Sequence, residues 1–261
     1  RHPPRRALMR IGGRGEKMLE QGAQVMTDAN GMPLPNEITP IEPEPSRWVL
    51  PVDGPTDDSA LVAIGGDLEP GTLLNAYRIG LFPMPVPRRR IGWFSPDPRG
   101  VIPLDQLAIS RSLRRSLRRY TVTRNHAFND VIVNCADPRR QSGWIDRPVI
   151  NAYNKLHLTG WAHSFEVWDA DELVGGLYGV RINHFFAGES MFHHATDASK
   201  VALVHLVDWL NNTGGQLLDV QWTTEHLVSL GAIDIARTDY LKLLKDAVSP
   251  NSRKNDDETS Q

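Results

Sequence analysis

The sequence predicts an α+β protein: a small N-terminal domain followed by a larger one with a central, mostly antiparallel sheet and helices on both sides. Three observations lead there. Three strand-like stretches follow one another closely between residues 162 and 191. Helical stretches with start and stop signals precede and follow them. Residues 48–99, by contrast, hold only short elements separated by turn signals, with little core of their own.

The elements run in this order. Residues 1–46 are rich in Arg, Gly and Pro and then acidic (LPNEITPIEPEPS). They carry neither a 2.0 nor a 3.6 period and are expected to be a disordered tail. Residues 47–99 make the small domain, with turn signals at VDGPTDD, GGDLEPG and the Pro-laden FPMPVP. Its one helix, over 70–79, puts Leu73, Leu74 and Tyr77 on one face. Residues 100–248 make the larger domain. Ser110 caps a helix through Arg119, and YTVTR after it reads as a strand. Helices are expected over 128–136 and, after Pro148, over 149–160. The strands 162–168, 173–182 and 184–191 follow, the first alternating, the second apolar with glycines, the third rich in aromatics. Asp197 opens a long helix, SKVALVHLVDWLNN, that stops at Gly214-Gly215, as helix C-termini often do. A strand over 216–222, a short helix and a last helix over 240–247 complete the domain. Residues 249–261 read as a second disordered tail, and there are no internal repeats.

Composition narrows the function. The single cysteine, Cys135, excludes an intramolecular disulfide and fits a reducing cytoplasm; its place in an apolar helix reads as core. No run approaches the roughly 18 apolar residues of a membrane span. The basic start, RHPPRRALMR, has no apolar stretch behind it and is not read as a secretory signal. A net charge of −2 argues against a compact nucleic-acid reader and for an enzyme with a local basic patch. Such a patch is present. Arg111, Arg114, Arg115 and Arg118, at spacings of three and four, share one side of their helix, and Arg88-Arg89-Arg90 precede Trp93. The stripe suits phosphates; a solvated helix face is the alternative reading.

Three stretches carry a specific likeness. The first joins Gly65-Gly66-Asp67-Leu68, Ala76-Tyr77-Arg78-Ile79-Gly80-Leu81-Phe82-Pro83 and Trp93-Phe94-Ser95-Pro96-Asp97-Pro98-Arg99. The second joins Ala162-His163-Ser164, Glu166-Val167-Trp168 and Leu173-Val174-Gly175-Gly176-Leu177-Tyr178-Gly179-Val180. The third joins Gly188-Glu189-Ser190-Met191-Phe192, Ala198-Ser199-Lys200, Leu218-Asp219-Val220-Gln221 and Ser229-Leu230-Gly231-Ala232. In this order and spacing, over roughly residues 48–245, they resemble the leucyl/phenylalanyl-tRNA–protein transferases. The resemblance implies a small N-terminal domain joined to an acyltransferase domain similar to the GCN5-related N-acetyltransferases and to the ligases that build peptidoglycan cross-bridges from aminoacyl-tRNA. It implies transfer of Leu, Phe or Met from aminoacyl-tRNA to proteins with N-terminal Arg or Lys, marking them for degradation in the cytoplasm, by a monomer. No metal or organic cofactor is implied, because the aminoacyl ester is already activated.

Ester aminolysis needs a neutral amine, aligned reactants and a stabilised oxyanion. Asp219 and Gln221, two apart on a predicted strand, share a face and resemble the family's catalytic pair. Read without the resemblance, Asp219 could instead cap a turn or pair with an arginine. Glu189, amid aromatic and small residues, is expensive to bury without a partner. Either it pairs with an arginine or, as the resemblance implies, it recognises the basic acceptor terminus or the tRNA-linked substrate. Leu177, Phe186, Gly188, Met191, Leu206 and Leu210 match the family's aminoacyl pocket, although periodicity alone makes the apolar ones core, Leu206 and Leu210 above all. Two of these positions are often Phe in the family and Leu here. Trp144 resembles a tryptophan that stacks near the terminal adenosine. Met84 stands where relatives usually carry an aromatic, so either a second stacking platform is missing or Trp93 takes its place.

Other signals are set aside. The Arg-x-x-Gly-x-Gly match over residues 10–15 lies in the tail, where no strand and helix can present its amides to coenzyme A. Gly-x-Ser-x-Gly fails at Phe192, so Ser190 is not read as a nucleophile. The glycines 175, 176 and 179 fit close backbone approach better than a phosphate loop. The histidines show no metal-ligand spacing. A coenzyme-A-dependent N-acyltransferase and a non-enzymatic RNA-binding module are the competing readings.

Overall fold

Residues 39–52, 60–139 and 144–250 are described by the computed structural model. The expectations for residues 1–38 and 251–261, including the Arg-x-x-Gly-x-Gly match, lie outside the described residues.

Two sheets organise the chain. The first has three antiparallel strands in the order β1-β3-β2: β1 (Leu61–Ile64), β3 (Arg90–Phe94) and β2 (Phe82–Val86). Helix α1 (Pro70–Arg78) precedes β2, with a proline in its first turn, where a missing N–H leaves no bond unmade. The second sheet has seven strands in the order β10-β4-β9-β8-β7-β6-β5. These are β10 (Ile233–Ile235), β4 (Arg99–Ile102), β9 (Leu217–Gln221), β8 (Phe185–His193), β7 (Glu172–Ile182), β6 (Ala162–Asp169) and β5 (Thr121–Arg124). All its pairings are antiparallel except β8 with β9, which the crossover helix α5 (Ala198–Asn212) makes parallel. The expectation of a mixed α and β chain with a mostly antiparallel sheet agrees with this.

Each face of the large sheet has its own core. On one, Tyr178, Val180, Phe185, Ala187 and Leu217 pack with α1, α3 (Phe128–Cys135), α4 (Arg147–Leu158) and α7 (Arg237–Ala247). Cys135 is buried there. On the other, Val167, Leu177, Phe186 and Leu218 meet α5 and α2 (Arg111–Arg119). The short α6 (Glu225–Val228) lies beside this second core through Leu227. Leu73, Leu74, Tyr77, Phe82 and Trp93 belong to the first core, so the small sheet is anchored in it. Residues 39–46 form an irregular strap: Ile41 N–H donates to the Thr159 carbonyl, and Trp161 Nε1 donates back to Ile41.

The capped helices stand close to their sequence bounds. Ser110 accepts from Leu113 N–H, and Asp146 accepts from Val149 N–H, starting α4 before Pro148 rather than after it. The short strands β1 to β4 and β10 have no counterpart in the sequence reading. Pro-laden FPMPV, read there as a turn signal, is strand β2. It lies at the edge of its sheet, where a proline that lacks an N–H is tolerated.

Candidate active site

Strands β8 and β9 pair only from Phe185↔Leu217 to Ala187↔Asp219, although β8 continues to His193 and β9 to Gln221. Beyond Asp219 the sheet opens, and Gly188, Glu189, Val220 and Gln221 border the opening. Against β7, a bulge lets Tyr178 face Ser190 while Gly179 faces Gly188, which leaves Glu189 as the extra residue. An extra β carbon on Gly188 would meet only the Asp219 carbonyl, at 3.5 Å.

Asp219 is fully buried and all its accepting positions are filled. Arg99 Nε donates to Oδ1 at 2.9 Å and Nη2 to Oδ2 at 2.6 Å. Gln221 N–H donates to Oδ1 at 2.9 Å, and the Tyr240 hydroxyl donates to Oδ2, also at 2.9 Å. Arg99 is equally buried, donates to the Gly80 carbonyl and lies over the rings of Phe82 and Tyr240. Desolvation works against its charge, but the summed attraction of Asp219 and Tyr240 outweighs it and raises the pKa. Arginine pairing, the alternative reading of Asp219, is thus present. It leaves the carboxylate no open position from which to take an amine's proton. What Asp219 does do is fix the backbone at Gln221.

Gln221 does not share a strand face with Asp219 in the expected way. Its φ of 61° is left-handed, so regular alternation ends there. Its side-chain Nε2 is buried with no hydrogen-bond partner among the described residues. An unmet buried donor is costly, and such groups concentrate at functional sites.

Glu189 takes no arginine among the described residues. Tyr77 of α1 donates to Oε1 at 2.7 Å, and Tyr153 of α4 donates to Oε2 at 3.0 Å. The two hydroxyl oxygens also lie within hydrogen-bonding reach of each other. Burial pushes the Glu189 carboxyl from 4.5 up to about 7, and nearby Asp219 adds to this. The two tyrosine donors and Arg99 oppose it. Desolvation, with Glu189 beside them, raises both tyrosines well above 10.

The other expected residues divide between the two faces. Leu177, Phe186, Met191, Leu206 and Leu210 cluster together on the α5 face, with Leu206 and Leu210 deep in the core. Trp144 packs on the opposite core. Trp93 is fully buried and its Nε1 donates to the Gly65 carbonyl, so it offers no stacking face in place of Met84. Arg111, Arg114, Arg115 and Arg118 are all exposed, and no described acidic side chain pairs with them. A separate cavity of about 610 Å³ lies between β2–β3 and the start of α4, with Met84, Ile91 and Val149 among its walls and Arg89, Arg90 and Arg147 at its rim. Glu189, Asp219 and Gln221 do not line it.

Sequence reasoning did not assign Arg99, Tyr77, Tyr153, Tyr240 or Trp222 to the site. Trp222, 41% exposed, meets the edges of Phe82 and Phe94 directly after Gln221. Arg99 and Tyr77 both lie within the stretches that carry the resemblance, which was the available signal.

A family model described as leucyl/phenylalanyl-tRNA protein transferase matches residues 101–245. A second, for the N-terminal domain of that transferase, matches residues 66–97. A curated leucyl/phenylalanyl-tRNA–protein transferase from Pseudoalteromonas atlantica is 49% identical over 202 residues, 76% of this chain and 86% of the relative. One from Escherichia coli is 49% identical over 190 residues, 72% of this chain and 81% of the relative. Among solved structures, FemX aligns at 12% identity with a TM-score of 0.36, covering 57% of this chain and 64% of that one. That likeness is too distant to bear an argument. The matches span the segment that supplies Tyr77 and the one that supplies Glu189 and Asp219, and the chain accordingly belongs to the leucyl/phenylalanyl-tRNA–protein transferase family, as an aminoacyltransferase.

Proposed function

We propose that this enzyme transfers leucine, phenylalanine or methionine from aminoacyl-tRNA to the α-amino group of proteins beginning with Arg or Lys, which marks them for degradation in the cytoplasm. It acts as a monomer, without metal or cofactor. Residues 47–99 serve as a small N-terminal domain, and residues 100–248 as an acyltransferase domain of the GCN5-related kind.

The observation that carries this reading is the opening between β8 and β9. It brings an unpartnered buried amide, Gln221, and a carboxyl, Glu189, to one place in a family member. Aminolysis of an activated ester needs placement and oxyanion stabilisation more than covalent help. Gln221 Nε2 supplies a donor for the oxyanion, with Asp219 and Arg99 holding its backbone in place. Glu189 meets the acceptor terminus. Leu177, Phe186, Met191, Leu206 and Leu210, with Gly188 at the entrance, receive the apolar donor side chain. Trp144 stacks on the terminal adenosine, a contact worth about 1–3 kcal/mol. The four α2 arginines hold acceptor-stem phosphates.

The test is transfer of labelled leucine from leucyl-tRNA to a peptide beginning with Arg, beside one beginning with Ala. Transfer to the Arg peptide alone, lost in Asp219→Asn while the protein stays folded, is expected. Equal transfer to both peptides would remove the acceptor specificity. No transfer from any of the three aminoacyl-tRNAs would remove the donor assignment.

A further inference from the structure

We propose that Tyr77 and Tyr153 close a three-membered hydrogen-bond ring with Glu189 that holds it as a neutral carboxylic acid in the resting enzyme. The incoming amine then meets a polar but uncharged neighbour. The inference deepens the reading of this opening as the transfer site and rests on it.

The argument is a count of protons. The three groups make three contacts: Tyr77 with Oε1, Tyr153 with Oε2, and the two hydroxyls with each other. Both tyrosines are fully buried, and no described residue offers either hydroxyl another partner. If Glu189 is ionised, two phenolic protons must serve three contacts, and one pair of oxygens faces with lone pairs alone. If Glu189 is protonated, each group donates once and accepts once, and the ring closes. Burial pushes the carboxyl up to about 7, in the direction of this count. Acting only as donors to a carboxylate, the same two tyrosines pull it down, and the ring differs by letting the acid donate as well.

The other charged and titratable groups near Glu189 leave the balance where the ring sets it. Asp219 on β9 and Arg99 on β4 are paired to each other, and Tyr240 on α7 is bonded to both. Tyr178 on β7 packs edge-on against Tyr153. With Asp219 matched by Arg99, a neutral Glu189 leaves no uncompensated negative charge at the opening. The consequence is chemical. An ionised carboxylate beside an amine favours the ammonium form, which cannot attack the ester. A neutral acid does not.

The experiment is a carbon NMR titration of the full chain, labelled at glutamate carboxyls, without tRNA or peptide. The Glu189 signal is identified by its absence in Glu189→Gln. The acid form is expected to persist to about neutral pH in the wild type. In Tyr77→Phe and in Tyr153→Phe the midpoint is expected to fall by about one unit, a tenfold loss of proton affinity. The sign follows from the ring. Either substitution takes two neutral bonds from the protonated state. From the ionised state it takes one charge-assisted bond, about twice as strong, and it also removes the lone-pair contact. A wild-type midpoint in the ordinary carboxylate range overturns the proposal. So does a midpoint that stays or rises in the variants, as two independent donors to a carboxylate would give. Should one variant fail to fold, the other decides. The titration needs no substrate, so failure of the transfer assay and failure of the ring are separate results.

Discussion

Arg99 and Asp219 are each fully buried, and a charge in that position is tolerable only because the other is there. Arg99→Met is therefore expected to lose about 3–5 kcal/mol of stability by denaturant unfolding, because Asp219 stays buried without a counter-charge. The double variant Arg99→Met, Asp219→Leu is expected to recover most of that loss but no transfer activity. Recovery of activity would show that the pair is only structural. For Gln221, Ala substitution is expected to lower kcat about 10²- to 10³-fold with little change in stability, the signature of a lost oxyanion donor. A change in KM alone would count against that role. Glu189 makes a pH prediction. Its carboxyl is raised from 4.5 to about 7, so the folded state holds the extra proton between those values. Stability is then lost as pH rises through this window. His163, lowered to about 3 by burial, slopes the opposite way, gaining stability as pH rises towards 6.5. The informative measurement is therefore wild-type Tm minus Glu189→Gln Tm against pH, expected to fall from pH 4.5 to 7. A flat difference would mean that the carboxyl is not shifted. Asp219, Gln221 and Glu189 were legible in the sequence as chemistry-bearing residues. Their partners were not, since Arg99 lies 120 positions from Asp219 and Tyr77 lies 112 from Glu189. No local period encodes such a pairing.

At the scale of the element, legibility followed length and punctuation. Helices α2, α4 and α5 announced themselves through Ser110, Pro148 and the Gly214-Gly215 stop, and strands β6 to β8 through runs of eight or more residues. The unread strands, β1 to β4 and β10, are three to five residues long. Strands β5 and β9 are as short and were read, but β5 carries the β-branched run TVT and β9 follows the Gly214-Gly215 stop, whereas β2 and β3 are broken up by Pro and Gly. The bulge that projects Glu189 is likewise a pairing irregularity between β7 and β8, visible only once both strands are in place. Helix α2 shows what an element can do beyond packing. It buries little more than Leu113 and holds Arg111, Arg114, Arg115 and Arg118 out to solvent. If these side chains neutralise RNA phosphates, each one replaced by Ala is expected to reduce the slope of log affinity against log salt by about one. Binding of tRNA, measured across a salt series for Arg114→Ala and for Arg114→Ala with Arg118→Ala, checks this. A drop in affinity with the slope unchanged would assign the arginines to folding rather than to phosphates.

For the whole molecule, the question is whether the small sheet is an independent body or part of the large one. Sequence patterning sees short elements with little core of their own in residues 48–99, and buried area bears on the same point. Leu73, Leu74, Tyr77, Phe82 and Trp93 are buried in one cluster with Tyr153, Phe185 and Tyr240, on the first face of the large sheet. The same contacts bring Tyr77 to Glu189 and lay Phe82 under Arg99, so the site is completed by residues from both sheets. A three-stranded sheet and one helix expose too much surface to stand alone, and detaching them would uncover that shared core. Unfolding is therefore expected to be a single transition, with far-UV and near-UV circular dichroism coincident along a denaturant series. Leu74→Ala supplies the decisive comparison. It is fully buried in α1, and truncation is expected to remove about 2–5 kcal/mol. If the two sheets are coupled, that loss shifts the midpoint of the whole chain while the steepness of the transition is unchanged. If the small sheet melts by itself, the variant instead separates an early transition from an unmoved main one. The candidate site would then have to be assembled from two bodies.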